Sequence, residues 1–242
     1  MNLIIDAGNT RVKVAVFEQS TLIEALVIDR KRLLSEIKKI VKKHKISNGI
    51  LSSVSFIPEK KVEKLKYLLN LVVLTSSTKV PFINLYETPK TLGVDRIALV
   101  SGAVKKFPNK NILIIDAGTC ITFDFVNDKS AYFGGAISPG IEMRYKALHA
   151  FTSKLPILEK NYPQNFIGKN TIESINSGIV NGVTQEIKGV INQYKKKYED
   201  LTVVLTGGDT NFLAKQLKSS IFAHQNFLLE GLNEILIFNK NK

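Results

Sequence analysis

Two hydrophobic periods alternate along the chain. Leu3-Ile4-Ile5 is a continuous apolar run that stops at Asp6, and Val12 to Phe17 alternates apolar and polar after Asp6-Ala7-Gly8-Asn9-Thr10. This predicts a buried strand, a tight turn and a second strand. Leu22 to Ile28 predicts a third. The period becomes helical from Arg30 to Lys45, where Leu33, Leu34, Ile37, Ile40 and Val41 share one face. Gly49–Val54 and Leu71–Thr75 read as strands around a helix from Pro58 to Asn70, opened by its proline. The order β-β-β-α-β-α-β predicts a mixed sheet with helices. Val80 to Leu92 carries Pro81 and Pro89 and reads as a loop. A helix follows from Val94 to Phe107, ended by Pro108.

The pattern then restarts. Leu113-Ile114-Ile115-Asp116-Ala117-Gly118 repeats Leu3-Ile4-Ile5-Asp6-Ala7-Gly8 residue for residue. Two strands are predicted from Asn111, a third from Lys129 to Ala136, and a helix from Ser138-Pro139-Gly140 through Ala150. Phe151 to Lys169 reads as irregular. Asn170, with Glu173 three residues on, has the form of a helix cap and opens a long helix to about Tyr198. A strand from Leu201 to Leu205 runs into Thr206-Gly207-Gly208-Asp209, and short helices with one strand finish the chain. The repeating unit is therefore half the chain. The expected domains are residues 1–107 and 108–242, with the Gly93–Phe107 helix as connector.

Composition narrows the class. The chain has 242 residues, 44% hydrophobic and 23% charged, as expected of a globular protein. No apolar run approaches the roughly 18 residues of a membrane helix, and Asp6 interrupts the N-terminal run, so neither a membrane span nor a signal peptide is expected. A lone cysteine, Cys120, fits a reducing cytoplasm, and three histidines leave little for a zinc site. The net charge of +13 raises the question of nucleic acid. The lysines are spread over the solvent sides of predicted helices, however, so the charge reads as a general field favouring anionic substrates such as nucleotides.

A strand ending in Asp-x-Gly places a carboxylate at its tip and frees backbone N–H groups in the turn, which suits a metal-bound phosphate chain. A single copy is also an ordinary β-turn. Lys13 lies in the first hairpin and faces either the turn or solvent. Asp95 stands in the first turn of a helix, where it is either a cap or an ionised group poised for chemistry.

The duplicated hairpin resembles the actin, Hsp70 and sugar-kinase superfamily. Asp6-Ala-Gly-Asn-Thr10, Gly93-Val-Asp-Arg96, Asp116-Ala-Gly-Thr119, Gly134-Gly-Ala-Ile-Ser-Pro-Gly140, Gly168-Lys-Asn-Thr171 with Ser177-Gly178, and Thr206-Gly-Gly208 occur in the order and spacing of a type III pantothenate kinase. Ala7 and Cys120 are small departures, and the chain is slightly short. The resemblance implies an α/β actin-like ATPase fold, in which two ribonuclease H-like domains of mixed sheet plus helices face each other across an ATP cleft. It implies phosphorylation of pantothenate to 4′-phosphopantothenate, the first step of coenzyme A synthesis, with Asp95 as general base. Asp6, Ala7, Gly8, Asn9, Thr10, Arg11, Val12, Lys13 and Thr119 would meet ATP. Tyr86, Gly93, Val94, Asp95, Arg96 and Thr171 would meet pantothenate. Asp6 would help hold Mg²⁺, and Asp116 would bind a monovalent cation, K⁺ or NH₄⁺. A cytoplasmic homodimer with the substrate pocket at its interface is also implied. Two alternatives stay open on the sequence: another kinase or phosphatase of the superfamily, and a non-catalytic transcription accessory factor.

Overall fold

In a computed structural model that describes residues 1–8, 11–217 and 221–240, the chain divides into two units. The first comprises Met1–Pro108, Ser130–Tyr132 and Asn226–Lys242. Its strands are β1 (Asn2–Ala7), β2 (Val12–Glu18), β3 (Thr21–Ile28), β4 (Asn48–Ser53) and β5 (Asn70–Val73). They form one sheet in the order β3-β2-β1-β4-β5, with β1–β3 antiparallel and β4 and β5 parallel to β1.

Alternation along β1 sorts its side chains between two helical layers. Leu3, Ile5 and Ala7 join Val12, Val14 and Val16 of β2 against α1 (Leu33–His44) and α2 (Glu59–Leu68), through Ile37, Ile40 and Leu65. Asn2, Ile4 and Asp6 lie on the other face, which carries α3 (Val94–Lys106) and the C-terminal helix α7 (Phe227–Lys240). The Asn2 side chain donates to Asn233 of α7 at 2.8 Å. Both faces being covered explains why Leu3, Ile4 and Ile5 are all fully buried. α3 and α7 pack closely enough that a Cβ on Gly231 would come within 1.9 Å of the Ala98 carbonyl.

The second unit comprises Asn109–Lys129 and Phe133–Gln225. β7 (Asn111–Ala117) and β8 (Cys120–Val126) form the second hairpin, and β9 (Ala131–Pro139) follows. After α4 (Ile141–Ala150) and α5 (Thr171–Lys197) come β10 (Leu201–Thr206), α6 (Thr210–Leu217) and β11 (Phe222–Ala223). Strand order is β11-β10-β7-β8-β9. Leu113, Ile115, Ala117, Ile121, Phe123, Val203 and Leu205 bury one face of this sheet against α4, α5 and α6. On α5, Ile175, Ile179, Val183, Ile187 and Ile191 recur every fourth residue and supply the facing stripe. Its cap is as expected: Asn170 Oδ1 accepts the Glu173 N–H at 3.0 Å, and Glu173 accepts the Lys169 N–H at 2.8 Å.

Two departures from the sequence reading concern long-range packing. The predicted loop 80–92 contains a short strand, β6 (Ile83–Asn84), which pairs in parallel with Ala131–Tyr132 in the first unit. The last helix falls on the other side of a boundary at 107/108. It is a 14-residue helix that packs on α3 and β1, so its apolar face belongs to the first unit's core.

Candidate active site

The same alternation that buries Leu3 and Ile5 sends Asp6 to the α3 side of the first sheet. Register then sets its neighbours: Asp6 is directly opposite Lys13 on β2 and Ser52 on β4, so all three share one face at the strand tips. Lys13, which sequence alternation left open, is thereby turned to Asp6. The Ser52 hydroxyl is buried with no hydrogen-bond partner among the described residues.

Asp95 enters from the first turn of α3. Its Oδ1 accepts the Arg96 N–H at 2.9 Å, so it does serve the helix start. It also lies close enough to Asp6 to repel its charge. Burial pushes the Asp6 carboxyl up to about 6; Lys13 opposes this and Asp95 adds to it. Two acids from distant parts of the chain thus converge beside one lysine.

Arg96 follows Asp95 on α3, and Tyr86 packs on its side chain within the first unit. Arg96 is buried, and its guanidinium carbon lies 5.5 Å from the centroid of the Tyr86 ring. Tyr86 in turn stacks on Tyr132, with centroids 6.2 Å apart and planes at 21°. Tyr132 had no signal in the sequence, because strand pairing between β6 and the start of β9 brings it there. Gly93 caps α3 and Val94 is its first residue.

Of the other first-turn candidates, Ala7 and Val12 are core side chains that leave only backbone for a ligand. Gly8 donates its N–H to the Arg11 carbonyl at 3.1 Å, and Arg11 is exposed. Asn9 and Thr10 lie outside the described residues.

The second unit repeats the arrangement with different chemistry. Asp116 is opposite Thr122 on β8 and Thr206 on β10. These three face away from the α4–α6 layer, since Ile115, Ala117, Ile121 and Leu205 take that side. Thr122 and Thr206 both hold buried hydroxyls without a hydrogen-bond partner among the described residues. Thr119 is exposed in the turn, whose Gly118 N–H donates to Cys120 at 2.9 Å. Gly140 packs on this turn so closely that a Cβ would meet the Gly118 carbonyl at 2.1 Å; it makes room for backbone. Asp209 N–H donates to the Ala117 carbonyl at 2.9 Å, tying the Thr206–Asp209 loop to the same turn.

Thr171 is not part of either cluster. It is exposed at the start of α5, on a cavity of about 870 Å³ lined also by Arg144, Leu148, Phe151, Leu155 and Ile175. Among the described residues no group of three or more His, Cys, Asp or Glu side chains could hold a metal by itself, and no helix is long and apolar enough to cross a membrane.

The sequence profile of the type III pantothenate kinases matches residues 2–193. A type III pantothenate kinase of Christiangramia forsetii is 50% identical over 243 residues, covering 100% of both chains. Among solved structures, a conserved Campylobacter jejuni protein assigned to the Baf family of transcriptional activators superposes with a TM-score of 0.66 at 22% identity, covering 99% of this chain and 100% of that one. A glucokinase from an Antarctic psychrotroph gives 0.54 at 12% identity, covering 98% of each. At such identities these two speak for the fold alone, an actin-like α/β fold shared with sugar kinases. The full-length identity to the Christiangramia forsetii enzyme and the profile match go further: this chain belongs to the type III pantothenate kinase family.

Proposed function

We propose that this protein transfers the γ-phosphoryl group of ATP to the primary hydroxyl of pantothenate, giving 4′-phosphopantothenate for coenzyme A synthesis. Membership of the family supports the substrate and the use of ATP. The observation that carries the residue roles is the convergence of Asp6, Lys13 and Asp95 on one face of the first sheet.

Phosphoryl transfer needs little covalent chemistry from the protein; it needs positioning, charge stabilisation and an acceptor for the hydroxyl proton. Asp95 takes the last role. Its carboxylate stands at a helix N-terminus, which favours the ionised form. Asp6 is the phosphate-side acid and Lys13 the phosphate-side cation. Arg96, always charged, suits the pantothenate carboxylate, with Tyr86 beside it.

The donor sets fit two different cations. Asp6 offers one carboxylate, and Mg²⁺ commonly takes one carboxylate with phosphate oxygens and waters. Asp116 offers one carboxylate flanked by two buried hydroxyl oxygens, Thr122 and Thr206, unpartnered among the described residues, and neutral oxygens of this kind suit a weakly hydrated monovalent cation. When bound, these ions supply positive charge against the phosphates and the charge that develops on transfer.

A homodimer also belongs to this reading. Phe151 is exposed on the Thr171 cavity and Ile172, next in the chain to Thr171, is exposed too, and such apolar surface favours a partner. The single free cysteine supports a reducing, cytoplasmic setting.

The test is ADP release coupled to an indicator reaction, with pantothenate and with and without K⁺. Turnover with pantothenate, lost in Asp95→Asn while ATP still binds, is the expected result. Undiminished turnover in Asp95→Asn removes Asp95 from its role.

A further inference from the structure

The first hairpin turn is braced from behind by a residue that plays no part in the site described above. Arg30 follows the end of β3, whose Ile28 is in register with Val12 at the return of the turn. From there its guanidinium crosses the strand tips. Nη2 donates to the Gly8 carbonyl at 2.7 Å and to Ser55 Oγ at 2.5 Å. The two N–H bonds of one nitrogen are thereby both used.

Ser55 passes the brace on. Having accepted from Arg30, its hydroxyl keeps its own proton for the Ala7 carbonyl at 3.3 Å or the Gly8 carbonyl at 3.4 Å. The Ala7 carbonyl also receives the Val54 N–H at 3.3 Å and lies 3.5 Å from the Ser53 hydroxyl. Ser53 itself is held to the Ser55 carbonyl. Arg30 is fixed at its other end, where its carbonyl accepts from Lys61 Nζ at 3.5 Å. The net converges on the Ala7 and Gly8 carbonyls, at the point where β1 opens into the turn directly after Asp6.

We infer that Arg30 is a positioning residue for nucleotide binding: with Ser55 it fixes the peptide planes of Ala7 and Gly8, so that these two peptide groups are presented to the phosphates of ATP already oriented. Charge-assisted bonds from a planar guanidinium hold an angle as well as a distance. Without the brace, the peptide groups on either side of Gly8 would lose conformational freedom when the nucleotide binds. The positive charge behind the turn adds to the attraction for phosphate.

The inference rests on the reading of the first hairpin as the phosphate site, and its test separates the two. ADP binding is measured by calorimetry without pantothenate, and KM values are measured for ATP and for pantothenate. Arg30→Met is expected to weaken ADP binding and raise KM for ATP by about tenfold to a hundredfold, the size of losing charge-assisted hydrogen bonds. KM for pantothenate stays within about twofold. Arg30→Lys recovers part of the loss because it keeps the charge and one donor. Ser55→Ala moves the same constants in the same direction by less. Should Arg30→Met fail to fold, judged by its thermal transition, Ser55→Ala decides the question alone. Unchanged ADP affinity in the folded variants, or an equal rise in both KM values, overturns the inference. Failure to turn over pantothenate leaves the ADP measurement standing and counts against the substrate instead.

Discussion

The two hairpins open on the same hexapeptide, Leu-Ile-Ile-Asp-Ala-Gly, and each places its aspartate at a strand tip, yet their connections differ by one residue and their surroundings are chemically unlike. Asp6 sits between Lys13 and Ser52, with Asp95 near enough to raise its pKa. Asp116 sits between Thr122 and Thr206. In the first unit the acid's face is covered by α3 and α7; in the second the helices α4–α6 take the opposite face. An identical hexapeptide therefore specifies a carboxylate at a strand tip, and the cross-strand neighbours differ. In the proposed function, the lysine alongside Asp6 makes a place for phosphate and the two hydroxyls beside Asp116 make a place for a cation.

The comparison can be broken from either side. The largest expected effect comes from Asp95→Asn: kcat falls by about a thousandfold, within the usual range for a lost general base, while ADP affinity measured by calorimetry is unchanged. Next are the paired acids. Asp6→Asn lowers kcat/KM for ATP by about a hundredfold, and extra Mg²⁺ does not restore it. Asp116→Asn costs about tenfold and abolishes the response of the rate to K⁺. If the two variants lose Mg²⁺ and K⁺ responses alike, the division of labour between the hairpins is wrong.

An exchange sharpens the contrast. Thr122→Lys puts a tethered ammonium beside Asp116, and activity should become independent of K⁺ at a cost of about threefold in rate. Titrating K⁺ against initial velocity reads this directly.

A smaller effect concerns stability. The folded pKa of Asp6, about 6, lies above its ordinary 3.8. The native state therefore binds the proton more tightly than the unfolded chain. Stability from this group is fully present below pH 3.8 and is lost as pH rises through 6, by at most about 3 kcal/mol. Tm of the ligand-free protein should fall between pH 5 and pH 7 through this term, and Asp6→Asn should flatten that part of the curve. The acid limb of kcat/KM for ATP should turn near the same pH, because the ionised carboxylate is the form that serves the phosphates.

Much of this was legible in the chain. The apolar runs at Leu3 and Leu113 marked both central strands, because a strand covered on both faces or buried deep in a sheet has no polar alternation to show. Asn170 and Glu173 marked the start of α5 because capping is local chemistry between neighbours in sequence. Asp6 and Asp116 stand out by their repeated hexapeptide, whereas Asp95 is singled out only by the resemblance to the family. The side of Lys13 could not, since alternation gives two faces and does not say which one meets the acid.

What the sequence by itself determined was local: the strands, the turns, the helix starts and the acids at their ends, all set by the order of side chains along the backbone. Tertiary structure alone decided the company each acid keeps. Ser52, Thr122 and Thr206 acquire their places from strand register, Tyr132 from a two-residue strand pair, and Arg30 from a guanidinium that reaches across strand tips. The C-terminal helix joins the first unit's core for the same reason. Contacts between residues far apart in the chain depend on which apolar faces bury each other, and that information is spread over the whole molecule.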